Sequence, residues 1–157
     1  MYNLNGLAPE LKTALEHAQG AVKLPVSENG KKLETKKTDK GFYVRIGEDK
    51  AEIGYAKTAD FLRGALYLAC GKEVSQTNAF DDLGVMVDCS RNAVPKVETV
   101  KKFVSFLASL GYTYVYLYTE DTYELKNNPY FGYLRGRYTK AEIKEMDDFC
   151  ASVGVEL

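Results

Sequence analysis

Asp88-Cys89-Ser90-Arg91 brings a carboxylate and a guanidinium within three residues of each other. A guanidinium offers its N–H donors in one fixed plane, a shape that suits vicinal hydroxyls or a carboxylate. The same spacing also suits an Asp88–Arg91 ion pair that ties down a loop, and spacing alone leaves both readings open. A second candidate is Glu120-Asp121. Such carboxylates can orient a catalytic residue, bind sugar hydroxyls, hold a cation or cap a loop. Neighbouring side chains diverge, so these two do not form an acid/base pair with each other. The stretch beyond them holds Tyr123, Tyr130, Phe131, Tyr133 and Tyr138, together with Arg135 and Arg137. Aromatic faces stack on the C–H faces of sugars, and they also pack long loops onto their own domain. Long loops after strands are usually functional.

Other chemistries find no support. There is no GxGxxG, no P-loop and no GxSxG, and Gly132 and Gly136 flank the arginines without forming a phosphate cradle. His17 is the only histidine, so a histidine base or a set of imidazole ligands cannot be assembled from these residues. The three cysteines, Cys70, Cys89 and Cys150, are odd in number, widely spaced and outside any CxxC pattern. Neither a disulfide framework nor a zinc site is expected, and no other metal or cofactor is called for. Cys70 and Cys150 fall on apolar helix faces, where a free thiol acts as a small hydrophobe. A net charge of −1 offers no field of one sign to attract nucleic acid or an anionic membrane. The lysines from Lys31 to Lys40 are offset by nearby acids and read as a solvated hairpin face. With 157 residues, 45% of them apolar and 27% charged, the composition is that of an ordinary globular protein. No run approaches the roughly 20 apolar residues of a membrane span. Met1–Asn5 lacks the features of a signal peptide. If Met1 is the natural start, a cytoplasmic protein is expected.

The elements that position these residues fall into two parts. Residues 1–75 read as a small α+β unit. Pro9–Gln19 predicts a helix, with Leu11, Ala14, Leu15 and Ala18 on one stripe and Gly20 ending it. Val22, Leu24 and Val26 alternate as a strand would, and Asn29-Gly30 is a hairpin signal with Lys31–Thr35 returning from it. Phe42, Val44 and Ile46 predict a strand, and Ala51, Ile53 and Tyr55 the next. A helix follows from Thr58, burying Phe61, Leu62, Ala65 and Leu66 and closed by Gly71. The expectation is a short antiparallel sheet with helices on one face. Lys72–Asp82 is polar and aperiodic, and residues 76–82 read as a linker.

Residues 83–157 read as strand, helix, strand, helix. Leu83–Asp88 predicts a strand buried on both faces, and Val97–Leu110 a helix ended by Gly111. Tyr114–Tyr118 predicts the second strand, with tyrosines on one side and Val115 and Leu117 on the other. Thr119–Tyr138 is a long loop, and Thr139-Lys140-Ala141-Glu142 is a capping box that opens the last helix. Gly154-Val155-Glu156-Leu157 starts a third strand. Alternation of this kind marks a parallel sheet with right-handed crossovers. Asp88, Arg91, Glu120 and Asp121 then sit at its carboxyl edge, where α/β enzymes place their chemistry.

These segments resemble glycoside hydrolase family 20, the β-N-acetylhexosaminidases, most closely a cytoplasmic bacterial branch. Gly84-Val85-Met86-Val87-Asp88-Cys89-Ser90-Arg91 is similar to that family's first barrel strand. Leu117-Tyr118-Thr119-Glu120-Asp121 resembles the end of its second, and Gly136-Arg137-Tyr138-Thr139-Lys140-Ala141-Glu142-Ile143 the entry to its second helix. The first part looks like the α+β domain that precedes the barrel there. The resemblance implies that Arg91 hydrogen-bonds hydroxyls 3 and 4 of a terminal N-acetylhexosamine, and Asp88 is a substrate-binding candidate beside it. It implies that the first acid after strand two supports the catalytic acid through a histidine. Glu120 stands there in place of the family's aspartate, with Asp121 beside it to share that role. Family members cut by substrate assistance, the 2-acetamido oxygen attacking the anomeric carbon, an exception to the two-carboxylate retaining scheme. Their catalytic Asp-Glu pair follows strand four, so no catalytic residue of that kind is expected within residues 1–157.

The reading is therefore an α+β domain followed by the first two βα units of a truncated (β/α)8 TIM barrel. The parent would be a glycosidase, and this piece is expected to be inactive alone. Tyr130 and Tyr133 are candidate aromatic sugar contacts. Strand edges left open predict self-association. Two alternatives stand beside it: a stand-alone sugar-binding or interaction module, or part of another barrel glycosidase.

Overall fold

Alternating apolar residues build the first sheet, and their partners are set by a crossing of strands that local sequence does not reveal. The computed structural model describes residues Met1–Leu157. Strands β1 (Tyr2–Asn3), β2 (Lys31–Lys37), β3 (Phe42–Ile46), β4 (Lys50–Tyr55) and β5 (Val74–Gln76) form one sheet in the order β1-β2-β4-β3-β5. β1 pairs parallel with β2 and β2 parallel with β4, while β3 runs antiparallel to β4 and β5. The sheet is thus mixed rather than antiparallel. Leu33, Phe42, Val44, Ala51 and Ile53 point inward and are buried. On the opposite face Glu34 bonds Lys32 and Lys50. Those two ammonium groups, Lys50 foremost, hold its carboxyl down at about 2.

Four expectations for this half need correction. Asn29-Gly30 does not turn a hairpin, and Val22–Val26 is not a strand. Val26 makes a single parallel bridge to Tyr2, and Lys31 N donates to Met1 O at 3.0 Å. Gly30 is glycine because the first residues pass over it: a Cβ there would lie 2.7 Å from the Met1 carbonyl carbon and the Tyr2 nitrogen. The polar stretch Lys72–Asp82 contains β5, an edge strand. Cys70 is exposed at a helix end, whereas Cys89 and Cys150 are buried.

Helix α1 (Pro9–His17) and helix α2 (Thr58–Ala69) lie together, and α2 packs on β3 and β4. Asp60 caps α2, accepting from the Lys57 amide at 2.9 Å and from Asn78 at 2.7 Å, so this buried carboxylate is fully engaged. The second sheet pairs β6 (Gly84–Asp88) parallel with β7 (Tyr114–Tyr118). Helix α3 (Val97–Ser109) connects them, and α4 (Lys140–Ser152) follows β7. α4 opens with the Thr139–Glu142 capping box, Glu142 N donating to Thr139 Oγ1 and Thr139 N to Glu142 Oε2. After α4 the chain returns beside β7, where Glu156 N donates to Thr113 O and Glu156 O accepts from Val115 N, forming one parallel bridge with Tyr114. The layers run sheet, α1 with α2, α3 with α4, sheet. One cluster of 27 buried residues runs through both halves, from Leu11 and Phe61 to Met146 and Val155. No helix is long and apolar enough to cross a membrane.

β6 differs from its expected double burial. Its Val85 and Val87 turn toward the helices, but Gly84, Met86 and Asp88 share a face with Tyr114, Tyr116 and Tyr118. Met86, Tyr116 and Tyr118 are exposed there. The alternation predicted for β7 holds on both strands.

Candidate functional site

Asp88 ends β6, Tyr118 ends β7, and the register pairs them directly. Their side chains therefore emerge together at the carboxyl edge, on the solvent face of the sheet. Asp88 folds back over its own loop. Its Oδ1 accepts from Ser90 N at 2.9 Å, Ser90 Oγ at 2.8 Å and Arg91 N at 3.2 Å. Its Oδ2 meets Arg91 Nε at 2.7 Å. The bonds from Ser90, backbone first and then hydroxyl, hold the Asp88 carboxyl below its usual range. A carboxylate lowered in the folded state contributes its tether above the ordinary value and loses it as pH falls through the lowered one. At neutral pH the tether to Arg91 is intact.

Arg91 is held through one nitrogen. Its two terminal nitrogens bond nothing in the chain, and its side chain is 74% exposed. The guanidinium carbon lies 5.9 Å from the centre of the Tyr118 ring, within reach of a cation–π contact. The Tyr118 hydroxyl donates to Glu120 Oε1 at 3.0 Å, and that bond pushes the phenol up. Arg91, Tyr118 and Glu120 thus form one continuous polar rim with Asp88 beneath it. Glu120 has φ +47, a left-handed conformation that marks the sharp turn off the strand.

Asp121 turns to another partner. Arg135 Nη1 lies 3.3 Å from Asp121 Oδ1, and Arg135 Nη2 donates to the Ser90 carbonyl. One side chain therefore ties the long loop to the loop that carries Arg91. Farther along, Arg137 donates to Phe131 O at 2.7 Å, and Gly132, with φ +66, lies under the Asp121 carbonyl. Tyr123 packs edge-on against Phe131. Tyr130 and Tyr133 form an edge-to-face pair with centroids 6.2 Å apart. They are 80% and 64% exposed. No group of three or more histidine, cysteine, aspartate or glutamate side chains is placed to hold a metal ion, so Glu120-Asp121 finds no third ligand.

The base of the loop is buried. Tyr138 is enclosed beside Cys89, its hydroxyl donating to Pro95 O at 2.6 Å, and burial drives its phenol far up. Tyr138→Phe leaves that carbonyl without its partner. It is expected to lower the unfolding free energy by about 1–3 kcal/mol, read as a fall in the urea midpoint at unchanged slope.

The sequence had named Asp88, Arg91, Glu120, Asp121, Tyr130 and Tyr133. The structure brings Asp88, Arg91 and Glu120 together, turns Asp121 toward Arg135 and leaves the two tyrosines at the loop surface. Tyr118 and Arg135 stand in the quoted segments, but the sequence assigns neither of them a role. The alternation that puts Tyr118 on the Asp88 face was a usable signal for the first. Arg135 lies in an aperiodic loop and gave none.

No protein-family model matches the sequence, and no curated protein does. Solved structures do match the fold. An exo β-N-acetylglucosaminidase of glycoside hydrolase family 20 from Vibrio harveyi, in complex with N-acetylglucosamine, aligns with 98% of this chain at TM-score 0.76 and 19% identity. A mutant Streptomyces plicatus β-hexosaminidase in complex with product aligns with 99% at TM-score 0.73 and 20% identity. The family 20 β-N-acetylhexosaminidase from Streptomyces coelicolor aligns with 99% at TM-score 0.65 and 20% identity. This chain spans only 31% of the Vibrio protein and 40% of each Streptomyces protein. At these identities the likeness is one of fold: the mixed α+β arrangement of residues 1–157 is shared with part of the glycoside hydrolase family 20 β-N-acetylhexosaminidases.

Proposed function

We propose that this chain supplies the sugar-recognition rim of a β-N-acetylhexosaminidase-like glycosidase. Arg91 carries the reading. Its tethered Nε and unpartnered terminal nitrogens present a rigid fork, suited to two neighbouring hydroxyls of a terminal N-acetylhexosamine. Tyr118 supports the guanidinium from below. Glu120 is an acceptor for a further hydroxyl or for a group that aligns a catalytic acid. Tyr130 and Tyr133 offer faces for stacking on a second sugar unit.

Hydrolysis needs carboxyl groups that these residues do not free. Asp88 is spent on its own loop and Asp121 on Arg135, while Glu120 accepts from Tyr118. In the substrate-assisted scheme, one carboxylate orients the acetamido group and another protonates the leaving oxygen. Residues 1–157 are proposed to bind the sugar without cutting it, as the first part of a TIM-barrel glycosidase.

The test is a titration of the isotopically labelled 157-residue chain with N-acetylglucosamine, followed by NMR. Shifts are expected at Arg91, Tyr118 and Glu120, and they should vanish in Arg91→Ala. Arg91→Lys should not restore them, since an ammonium lacks the planar fork. A chromogenic N-acetylglucosaminide should stay intact. Shifts confined to other surfaces, or none at saturating sugar, would count against the reading, and turnover well above background would refute the claim of inactivity.

A further inference from the structure

The chain holds two Asn-Gly pairs, Asn5-Gly6 and Asn29-Gly30, and the fold treats them differently. An asparagine side-chain amide can be attacked by the backbone nitrogen of the next residue. Glycine in that next position obstructs the attack least, because it has no Cβ. Whether the glycine nitrogen can move onto the amide then depends on what holds it.

Asn29-Gly30 is held. Gly30 N donates to Ser27 O at 3.1 Å, closing a turn in which the glycine is the bonded donor. Met1 and Tyr2 pass against it, and a Cβ on Gly30 would lie 2.7 Å from the Met1 carbonyl carbon. Asn29 N donates to Ser27 Oγ at 3.3 Å, and the Asn3 side-chain amide donates to Glu28 O. Asn5-Gly6 lacks these restraints. The turn there runs from Leu4 to Leu7, Leu7 N donating to Leu4 O at 3.0 Å, so Gly6 sits mid-turn and its N–H takes no part in the bond. No acceptor in the chain meets Gly6 N. Asn5 and Gly6 are both exposed, and a Cβ on Gly6 would find only Lys32 Cε, at 3.9 Å.

We propose that Asn5 is a site of covalent self-modification in the folded chain, and that Asn29 is protected from the same reaction until β1 lets go. Hydroxide takes the proton from Gly6 N. The nitrogen bonds to Asn5 Cγ, the Cγ–Nδ2 bond breaks, and the side-chain nitrogen takes up a proton from water and leaves as ammonia. The cyclic imide that remains is opened by water. Opening at Cγ leaves aspartate. Opening at the α-carbonyl leaves isoaspartate, with the main chain rerouted through the former side chain. Nothing is oxidised or reduced. Either product adds a negative charge on the side of the turn that Lys32 approaches, and isoaspartate also lengthens the turn that seats the buried Leu7.

Peptide mapping by mass spectrometry tests this, on the 157-residue chain kept at mildly alkaline pH with and without urea. The Asn5 peptide is expected to convert almost as fast in the folded chain as in urea. The Asn29 peptide should convert about tenfold more slowly when folded, or slower still, since the Ser27 bond and the Met1–Tyr2 contact must open first. Gly6→Val sets a branched side chain beside the attacking nitrogen, where the fold has room for it. It should stop conversion at Asn5 and leave Asn29 unchanged. Circular dichroism checks that this variant is folded; if it is not, the ratio of folded to urea rates in the unaltered chain decides. Equal protection of the two pairs overturns the proposal, and so does faster conversion of Asn29 in the folded chain. An Asn5 peptide that converts only in urea overturns it too, as does undiminished conversion of Asn5 in folded Gly6→Val.

Discussion

Phe61→Ala is expected to lower the unfolding free energy by about 3–5 kcal/mol. Phe61 is fully buried in α2, and its ring meets Tyr55 edge-on with centroids 5.7 Å apart. Truncation removes that contact and leaves a cavity between rigid neighbours, since α2 is fixed on one side by β3 and β4 and on the other by α3. A domain of this size has about 5–15 kcal/mol in total, so the variant should be close to unfolding at ambient temperature. Urea melts read by circular dichroism and by tyrosine fluorescence should shift together, because one buried cluster, with Tyr2, Tyr55 and Tyr138 in it, runs through both halves. A loss under about 1 kcal/mol, or two separated transitions, would contradict this account.

Gly132→Ala should act locally and still do great damage to the site. At φ +66 an alanine costs about 1–2 kcal/mol, and its Cβ would sit 2.0 Å from the Asp121 carbonyl oxygen. Backbone must move to relieve that contact. The movement separates Asp121 from Arg135 and Arg135 from Ser90, releasing the loop that holds Arg91. The expected result is faster amide exchange across the two loops and loss of N-acetylglucosamine shifts, with the urea midpoint falling far less than in Phe61→Ala. Gly136→Ala is the matched control: its Cβ would meet Val94 Cβ at 3.4 Å, an ordinary contact. Equal effects from the two substitutions would remove the clash as the cause.

Periodicity made the helices and the inner strands legible. Leu11, Phe61, Val100 and Met146 each belong to an apolar stripe at helical spacing, Phe42, Val44 and Ile53 to runs at strand spacing, and all lie in the core. The errors arose where pairing depends on distant chain. Asn29-Gly30 has hairpin chemistry, but the glycine is used for close passage of Met1 and Tyr2. β5 is short, polar and at an edge, so it lacks the alternation that burial imposes. β6 looked doubly buried because Val85, Met86 and Val87 are all apolar; only the three-dimensional neighbours show that Met86 is uncovered. At the site, Asp88 and Arg91 were visible by their spacing. Their link to Glu120 runs through Tyr118, and their link to Asp121 through Arg135, contacts that span up to 45 residues and that no local pattern records.

The strand order β2-β4-β3 has a consequence for assembly. β4 is made after both of its neighbours yet lies between them. The tight Gly47–Asp49 connection lets β3 and β4 zip up at once, a short-range event. β2 has no edge to join until that has happened, and β1 none until β2 has docked. β1 and β2 therefore wait for Tyr55 before they can join the sheet, although both precede it in the sequence.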